Sequence, residues 1–240
     1  MIKDLGLQDY CEILKLMQDF TNSRTPETPD EIWVLEHPSV FTFGRHADPE
    51  HLLLKPSECP IPIVYTDRGG EITYHGPGQL IFYFLLDLKR VKIGPKELVC
   101  LIEQAVINLL DTNFNIKAAR KSGAPGIYVS NKKIASLGLK ITRGFSYHGL
   151  SLNIDLDLCF FKLINPCGYK DLNMTQLIDL LDAPPLCPTG QGPVGLSLPQ
   201  GERRTLPNMS QLGLLLAQEF SLLWEARSSK SAACSYFYKT

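Results

Sequence analysis

The sequence predicts an α+β domain, with a mixed, mostly antiparallel sheet backed by helices. Three observations predict it. Apolar residues recur at helical spacing over residues 7–20 and again over 95–110. The run Leu80 to Leu88 is dense in apolar and aromatic side chains, as a buried strand is. After the second helix come four β-like segments, two of the joins being tight-turn dipeptides.

The elements follow in order. Leu7, Tyr10, Cys11, Leu14 and Met17, with Ile13 and Leu16, outline an amphipathic first helix. Thr21 to Asp30 is a polar, proline-containing loop. Ile32 to Leu35 and Val40 to Phe43 read as short strands around the His37-Pro38 turn, and Ile61 to Tyr65 as another. A loop with four glycines, Asp67 to Gly78, leads into the Leu80 strand. Pro95 opens a helix to about Leu110, because proline suits the first turn. Strands are expected at Asn115 to Ala118, Gly126 to Val129, Lys133 to Ile141 and Phe145 to Ile154. Asn131-Lys132 and Arg143-Gly144 are the expected turns. Asp157 to Phe161 and Thr175 to Leu181 read as short helices. Ala183 to Pro207 is a proline- and glycine-rich linker, Ser210 caps a last helix to about Glu225, and Arg227 to Thr240 is a frayed tail. Residues 1–182 thus form the main body, and 183–240 an extension of the same domain.

Bulk composition narrows the function classes. With 44% hydrophobic and 20% charged residues and a formal net charge of -1, the chain has no global bias toward nucleic acid or anionic membrane. No apolar run is long enough to cross a bilayer. Met1 to Tyr10 carries two acids and no apolar core, against a secretory signal. Seven cysteines without a C-x-x-C pattern argue against a disulfide framework or a zinc site, and for reduced thiols in a cytoplasm-like compartment. No metal is expected.

Four segments can carry chemistry. Arg68 to Gly78 combines a guanidinium with glycines that let a ligand approach the backbone; its alternative reading is a glycine-rich hairpin. No Lys-Ser or Lys-Thr follows these glycines, so they form no P-loop. Lys133 to Gly138 lies on a strand, where alternation sends Lys133 and Ala135 one way, Ile134 and Ser136 the other. Its alternative is a solvated lysine. In Ser146 to Asn153, His148 reads as a base or a hydrogen-bonded structural residue, and Gly149 and Ser151 leave room beside the strand. Cys167, between Pro166 and Gly168, sits on a turn where it is accessible. Cys11, Cys100 and Cys159 read instead as small buried hydrophobes. A lysine brought beside Cys167 favours the thiolate, which is the nucleophile.

Taken together, Arg68-Gly69-Gly70…Thr73-Tyr74-His75-Gly76-Pro77-Gly78-Gln79, Lys133-Ile134-Ala135-Ser136-Leu137-Gly138, Tyr147-His148-Gly149-Leu150-Ser151-Leu152-Asn153 and Asn165-Pro166-Cys167-Gly168 resemble the octanoyltransferase family. The resemblance runs from about Trp33 to Leu181 and leaves the region after Ala183 uncovered. It implies the catalytic-domain fold shared by biotin and lipoate ligases. It implies that Cys167 carries the acyl thioester and Lys133 favours the thiolate. Arg68, Gly69, Gly70, Glu71, Ile72, Thr73, Tyr74 and His75, with Ser136, Leu137, Gly138, Gly149, Leu150 and Ser151, then bind the acyl substrate. The implied donor is an acyl carrier protein bearing octanoate on its phosphopantetheine, with no separate cofactor. The implied acceptors are lysines on the lipoyl domains of 2-oxoacid dehydrogenase E2 subunits and on the glycine-cleavage H protein.

The chemistry is self-consistent. A thioester is already activated, so transfer to a thiol and then to an amine requires no ATP. Three rivals remain. An ATP-dependent lipoate–protein ligase of the same fold would release pyrophosphate and would not need Cys167. An octanoyl amidotransferase would take octanoyl from another lipoyl domain. A non-catalytic acyl-binding module would need neither Lys133 nor Cys167.

Overall fold

The computed structural model describes residues 1–181 and 206–228. Its first strand, β1 (Ile2–Leu7), pairs in parallel with β2 (Glu31–Glu36), and between them runs helix α1 (Tyr10–Ser23). The helix begins at Tyr10 because the Asp9 carboxylate accepts the N–H groups of Cys11 and Glu12. Leu7 therefore belongs to a strand and is exposed, and the expected helix starts three residues late. Tyr10, Ile13, Met17 and Thr21 form the buried stripe of α1, at the three- and four-residue spacing of one helix face.

Strands β3 (Val40–Phe43), β4 (Ile63–Tyr65) and β5 (Ile72–His75) form a separate three-stranded sheet, ordered β4-β3-β5. Thus β2 and β3 flank His37-Pro38 as expected but enter different sheets. Part of the expected glycine loop is strand β5. The chain then continues through β6 (Gln79–Leu85), a short helix α2 (Leu88–Val91), the long helix α3 (Pro95–Phe114), β7 (Ala119–Arg120), β8 (Ile127–Val129), β9 (Lys132–Thr142) and β10 (Phe145–Asn153). The large sheet has the order β1-β2-β6-β10-β9-β8-β7, antiparallel beyond the first pair.

Several boundaries differ from expectation for local reasons. Asn115 is the left-handed end of α3 (φ 57°), so 115–118 is no strand. The turn before β9 uses Ser130 and Asn131 (φ 49° and 67°), one residue earlier than expected, while Arg143-Gly144 (52° and 86°) turns as expected. Leu158–Leu163 forms 3₁₀ turns and α4 spans Leu177–Leu181. Helix α5 (Met209–Ser228) is capped by Asn208, whose side-chain oxygen accepts the Gln211 N–H at 2.8 Å, and not by Ser210. The expected boundary at 182/183, nearly all of the linker and the tail beyond 228 lie outside the described residues. No helix among the described residues is long and apolar enough to cross a membrane.

Side-chain alternation on β6 decides the two faces of the sheet. Leu80, Phe82 and Phe84 join Leu150 and Leu152 in one apolar cluster with α3 and with Leu212, Leu216 and Phe220 of α5. Ile81, Tyr83 and Leu85 point the other way, with Ile13 and Met17 of α1. Cys11 and Cys159 are exposed, contrary to the buried reading.

One glycine closes the junction between the two sheets. Gly78 (φ 85°) has no room for a Cβ, which would lie 1.8 Å from the Asp155 carbonyl oxygen. Its own carbonyl accepts the N–H groups of Ile154 and Asp155. Gly78→Ala is therefore expected to destabilise the fold by roughly 2–4 kcal/mol, through a strained φ and a backbone overlap. A lowered denaturant midpoint at unchanged slope is the expected reading.

Candidate active site

Lys133 sits near the start of β9, and a bulge decides where it points. Ile127 of β8 faces Ala135, but the next residue, Tyr128, faces Lys133, so Ile134 is skipped. The expected alternation therefore fails here. Ile134 and Ala135 both enter the apolar cluster beneath α3, while Lys133 and Ser136 both line a cavity on the opposite face. Lys133 is only 2% exposed. Its Nζ donates to the Pro125 carbonyl at 2.9 Å and to Cys167 Sγ at 3.0 Å, and lies 5.6 Å from the centre of the Tyr128 ring. Gly126 makes room for the lysine stem, since a Cβ there would meet Lys133 Cε at 2.4 Å.

Cys167 occupies the 3₁₀ turn Pro166–Gly168 in a left-handed conformation (φ 57°), followed by a second left-handed residue, Gly168 (φ 78°). The Gly168 N–H donates to the Asn165 carbonyl, closing the turn. The following chain returns to β9: the Lys133 N–H donates to Asn173 O at 2.8 Å and the Thr175 N–H to Lys133 O at 2.9 Å. The backbone itself thus binds the cysteine turn to the lysine strand.

The pair opens onto a cavity of about 430 Å³, within the range of small-molecule sites. Residues 68–73 and His75 line it, as do Ser136, Leu137, Gly138, Gly149, Leu150 and Ser151. Tyr74 is a correction. On β5 it points away from His75, stacks on Phe160 at 4.8 Å and meets Ser39 through its hydroxyl. Gly138 and Gly149 face each other across β9 and β10. A Cβ at Gly149 would lie 2.1 Å from Phe82 O, so that glycine serves strand packing as well as access.

Arg68 is buried in the wall. Its guanidinium donates to Thr42 Oγ1, Thr42 O and Gly69 O, and forms no salt bridge among the described residues. Burial lowers its pKa, which neighbouring Tyr10 and Cys167 oppose. An uncompensated cation in a cavity wall suits an electron-rich ligand oxygen.

The histidines have distinct roles. His37 Nδ1 donates to Gln8 O at 2.7 Å, leaving Nε2 to accept from the Tyr83 hydroxyl at 2.8 Å. His75 is set by a chain of amides. Asn153 Nδ2 donates to Thr175 O, so Asn153 Oδ1 accepts from Gln79 Nε2; Gln79 Oε1 then accepts from His75 Nδ1 at 2.7 Å. The Nε2 of His75 is thereby left as an acceptor. His148 Nε2 donates to Asp67 at 2.9 Å and Tyr147 donates to the same carboxylate. Burial of Asp67 opposes ionisation, but these two donors hold its carboxyl well below the usual range. His148 is therefore an anchor for the glycine loop, the structural alternative of the two expected. Sequence reasoning missed Tyr10, Pro125 and the Asn153–Gln79 relay; Gln79 and Asn153 carried a signal as polar residues within otherwise apolar strands.

Burial pushes His37 down to about 4, and burial with the neighbouring His37 and Arg68 charges pushes His75 down to about 3. An unfolded histidine titrates near 6.5, so between these values the unfolded chain binds more protons. Stability is unaffected by them above pH 6.5 and falls as pH drops, by up to about 1.4 kcal/mol per pH unit for each histidine. Denaturant midpoints between pH 7 and pH 5 should fall accordingly. A flat profile, or one that rises toward pH 5, would contradict the assignment.

The model of the lipoyl protein ligase A/B catalytic domain matches residues 9–188. An octanoyltransferase of Francisella tularensis subsp. tularensis is 58% identical over 175 residues, covering 73% of this chain and 84% of its own. That of Saccharophagus degradans is 54% identical over 181 residues, covering 75% and 82%. Among solved structures, a lipoate-protein ligase A bound with ATP superposes with TM-score 0.66 at 13% identity, over 93% of this chain and 85% of that one. A bipartite lipoate protein ligase described with its E2 lipoyl domain, from Thermoplasma acidophilum, gives 0.62 at 13% identity, over 94% and 85%. Biotin protein ligase from Aquifex aeolicus gives 0.52 at 13%, over 96% and 71%. The structural likenesses establish the shared fold, as expected from the motifs.

Proposed function

This chain belongs to the octanoyltransferase family, and we propose that it moves octanoyl from a carrier-protein thioester to Cys167 and then to a lysine of a lipoyl domain. The observation that carries the route is the 3.0 Å contact between Lys133 Nζ and Cys167 Sγ at an otherwise largely apolar cavity. An ammonium at that distance stabilises a thiolate. The thiolate attacks the donor carbonyl, and as the donor C–S bond breaks, Lys133 gives its proton to the departing thiolate. The octanoyl chain lies along Ser136 to Gly138 and Gly149 to Ser151. Leu137 shares a strand edge with Leu139, whose carbonyl accepts the Gly69 N–H, so its own N–H faces the gap beside the glycine loop. That N–H is the donor we assign to the tetrahedral oxyanion.

The donor in this reading is acyl carrier protein, and the acceptors are E2 lipoyl domains and the glycine-cleavage H protein. The reaction needs no cofactor and no ATP, because one thioester replaces another before the amide forms. Mass spectrometry after incubation with octanoyl-carrier protein, without ATP, should find an octanoyl adduct on the peptide containing Cys167. Pyrophosphate release from ATP and free octanoate, without such an adduct, would favour the ligase reading instead.

A further inference from the structure

Amide formation from a protonated lysine releases two protons, and restoring the ammonium–thiolate pair of Lys133 and Cys167 takes up only one of them, so the other must reach solvent. A free lysine amine, of pKa near 10.4, is almost wholly protonated at neutral pH. It must lose one proton to become a nucleophile and a second once its nitrogen has joined the acyl carbon. In the route above Lys133 reaches the acyl-enzyme neutral, and so accepts one of them. A base near Cys167 that hands the other proton to water would speed this step.

The chain has five histidines, and their surroundings eliminate four. Both ring nitrogens of His37 are engaged. His75 lines the cavity, but its Nδ1 is held by the Gln79 amide and not by a carboxylate, and burial makes it a weak base; His148 is bonded to Asp67 with its other nitrogen enclosed. His46 is exposed and pairs with no carboxylate among the described residues. His51 differs from all of them. Its Nδ1 lies 3.1 Å from Glu71 Oε2, and its side chain is about a quarter exposed. Glu71 itself lines the cavity.

The pair is fixed against the cysteine turn. Glu71 Oε2 also accepts the Asp48 N–H at 3.0 Å, and the His51 carbonyl accepts the Asn165 N–H at 2.7 Å. The edge of the His51 ring rests on Gly168, its Cε1 only 3.2 Å from where a Cβ would stand. Glu71 Cγ lies 3.7 Å from the same point. A carboxylate on Nδ1 fixes the tautomer that leaves Nε2 as a proton acceptor, the arrangement by which carboxylates orient histidine bases.

Resting on the thioester route proposed above, we infer that His51, oriented by Glu71, is the base that deprotonates the acceptor lysine as it reaches the octanoyl-enzyme. His51 Nε2 takes the first proton and passes it to water. The amine lone pair forms the C–N bond, and the C–S bond breaks with its electron pair leaving on Cys167. The second proton passes from nitrogen to neutral Lys133, restoring the ammonium–thiolate pair. Glu71 keeps its hydrogen bond to His51 Nδ1 throughout. The acyl chain fills the cavity from within, so the acceptor arrives from solvent at Cys167, and His51 is the partly exposed histidine packed against the next residue of that turn, Gly168.

The test compares two nucleophiles on octanoyl-enzyme formed in advance: a lipoyl domain, whose lysine needs a base, and hydroxylamine, which is uncharged at pH 7. His51→Gln should slow lysine transfer by about 10²-fold, while formation of octanoyl-enzyme and its reaction with hydroxylamine change less than threefold. Glu71→Gln keeps an oxygen for the Asp48 N–H and His51 Nδ1–H, so the turn survives, and should lower the ratio of lysine transfer to hydroxylamine reaction by about tenfold. Equal slowing of both nucleophiles in Glu71→Gln, or lysine transfer in His51→Gln within threefold of the parent, would overturn the assignment. Absence of any octanoyl-enzyme in the parent protein would instead defeat the thioester route beneath it.

Discussion

Cys167→Ala is expected to abolish the octanoyl adduct and to lower transfer by about 10⁴-fold or more, in a protein that folds as before. Loss of a covalent nucleophile has effects of that size because the residues around it act as a unit. The fold should survive for a conformational reason. Alanine, like cysteine, carries a Cβ, so the left-handed φ of 57° costs both residues similarly. The side chain is only partly buried, so truncation leaves little cavity. The lost contact is the one to Lys133 Nζ, which keeps its bond to Pro125 O. Cys167→Ser should behave like alanine, since a hydroxyl beside one ammonium remains un-ionised at neutral pH. Intact-protein mass spectrometry with octanoyl-carrier protein reads both variants. An undiminished adduct on either would remove Cys167 from the reaction.

The cysteine was legible because proline and glycine announce a turn whatever the surrounding fold. The strand carrying Lys133 was legible too, but its facing was not. Alternation puts Lys133 with Ala135, and only a skipped residue opposite a three-residue neighbour strand reverses this. A bulge depends on the register between two strands, which the residues of one strand do not specify. Tyr74 failed for the complementary reason. Within a recognisable motif it looked like its neighbours, yet on β5 its ring turns to the face opposite His75, into the apolar cluster with Phe41 and Phe161. The β1 strand was hidden by its company: Leu7 fits a helical period with Tyr10, Cys11 and Leu14, and the Asp9 cap that ends that register is one carboxylate among several. His51 stood outside every motif. Its place beside Gly168 follows from two backbone bonds, His51 O with Asn165 N–H and Leu163 O with Leu53 N–H, joining segments more than a hundred residues apart.

Lys133→Met separates structure from chemistry most sharply. Methionine fills much of the lysine stem's volume with an unbranched chain, and the strand backbone does not change. Burying an ammonium is costly even when it is hydrogen-bonded, and replacing such a charge by an apolar side chain is often neutral or stabilising. The one acceptor left without its donor is Pro125 O, at about 1–3 kcal/mol. The two terms oppose each other, so the thermal midpoint should move little. The chemistry should not survive. An isolated thiol is only a few per cent thiolate at pH 7, so loss of the ammonium 3.0 Å away is expected to slow iodoacetamide alkylation of Cys167 by about ten- to thirtyfold. Octanoyl transfer should fall further, by about 10³-fold, because the donor thiolate and the acceptor amine also lose their proton partner. A variant that alkylates at the parent rate would separate the lysine from the sulfur's reactivity. One that unfolds would make Lys133 a structural residue first. Retained stability with both rates depressed is the result that a Cys–Lys transfer centre requires.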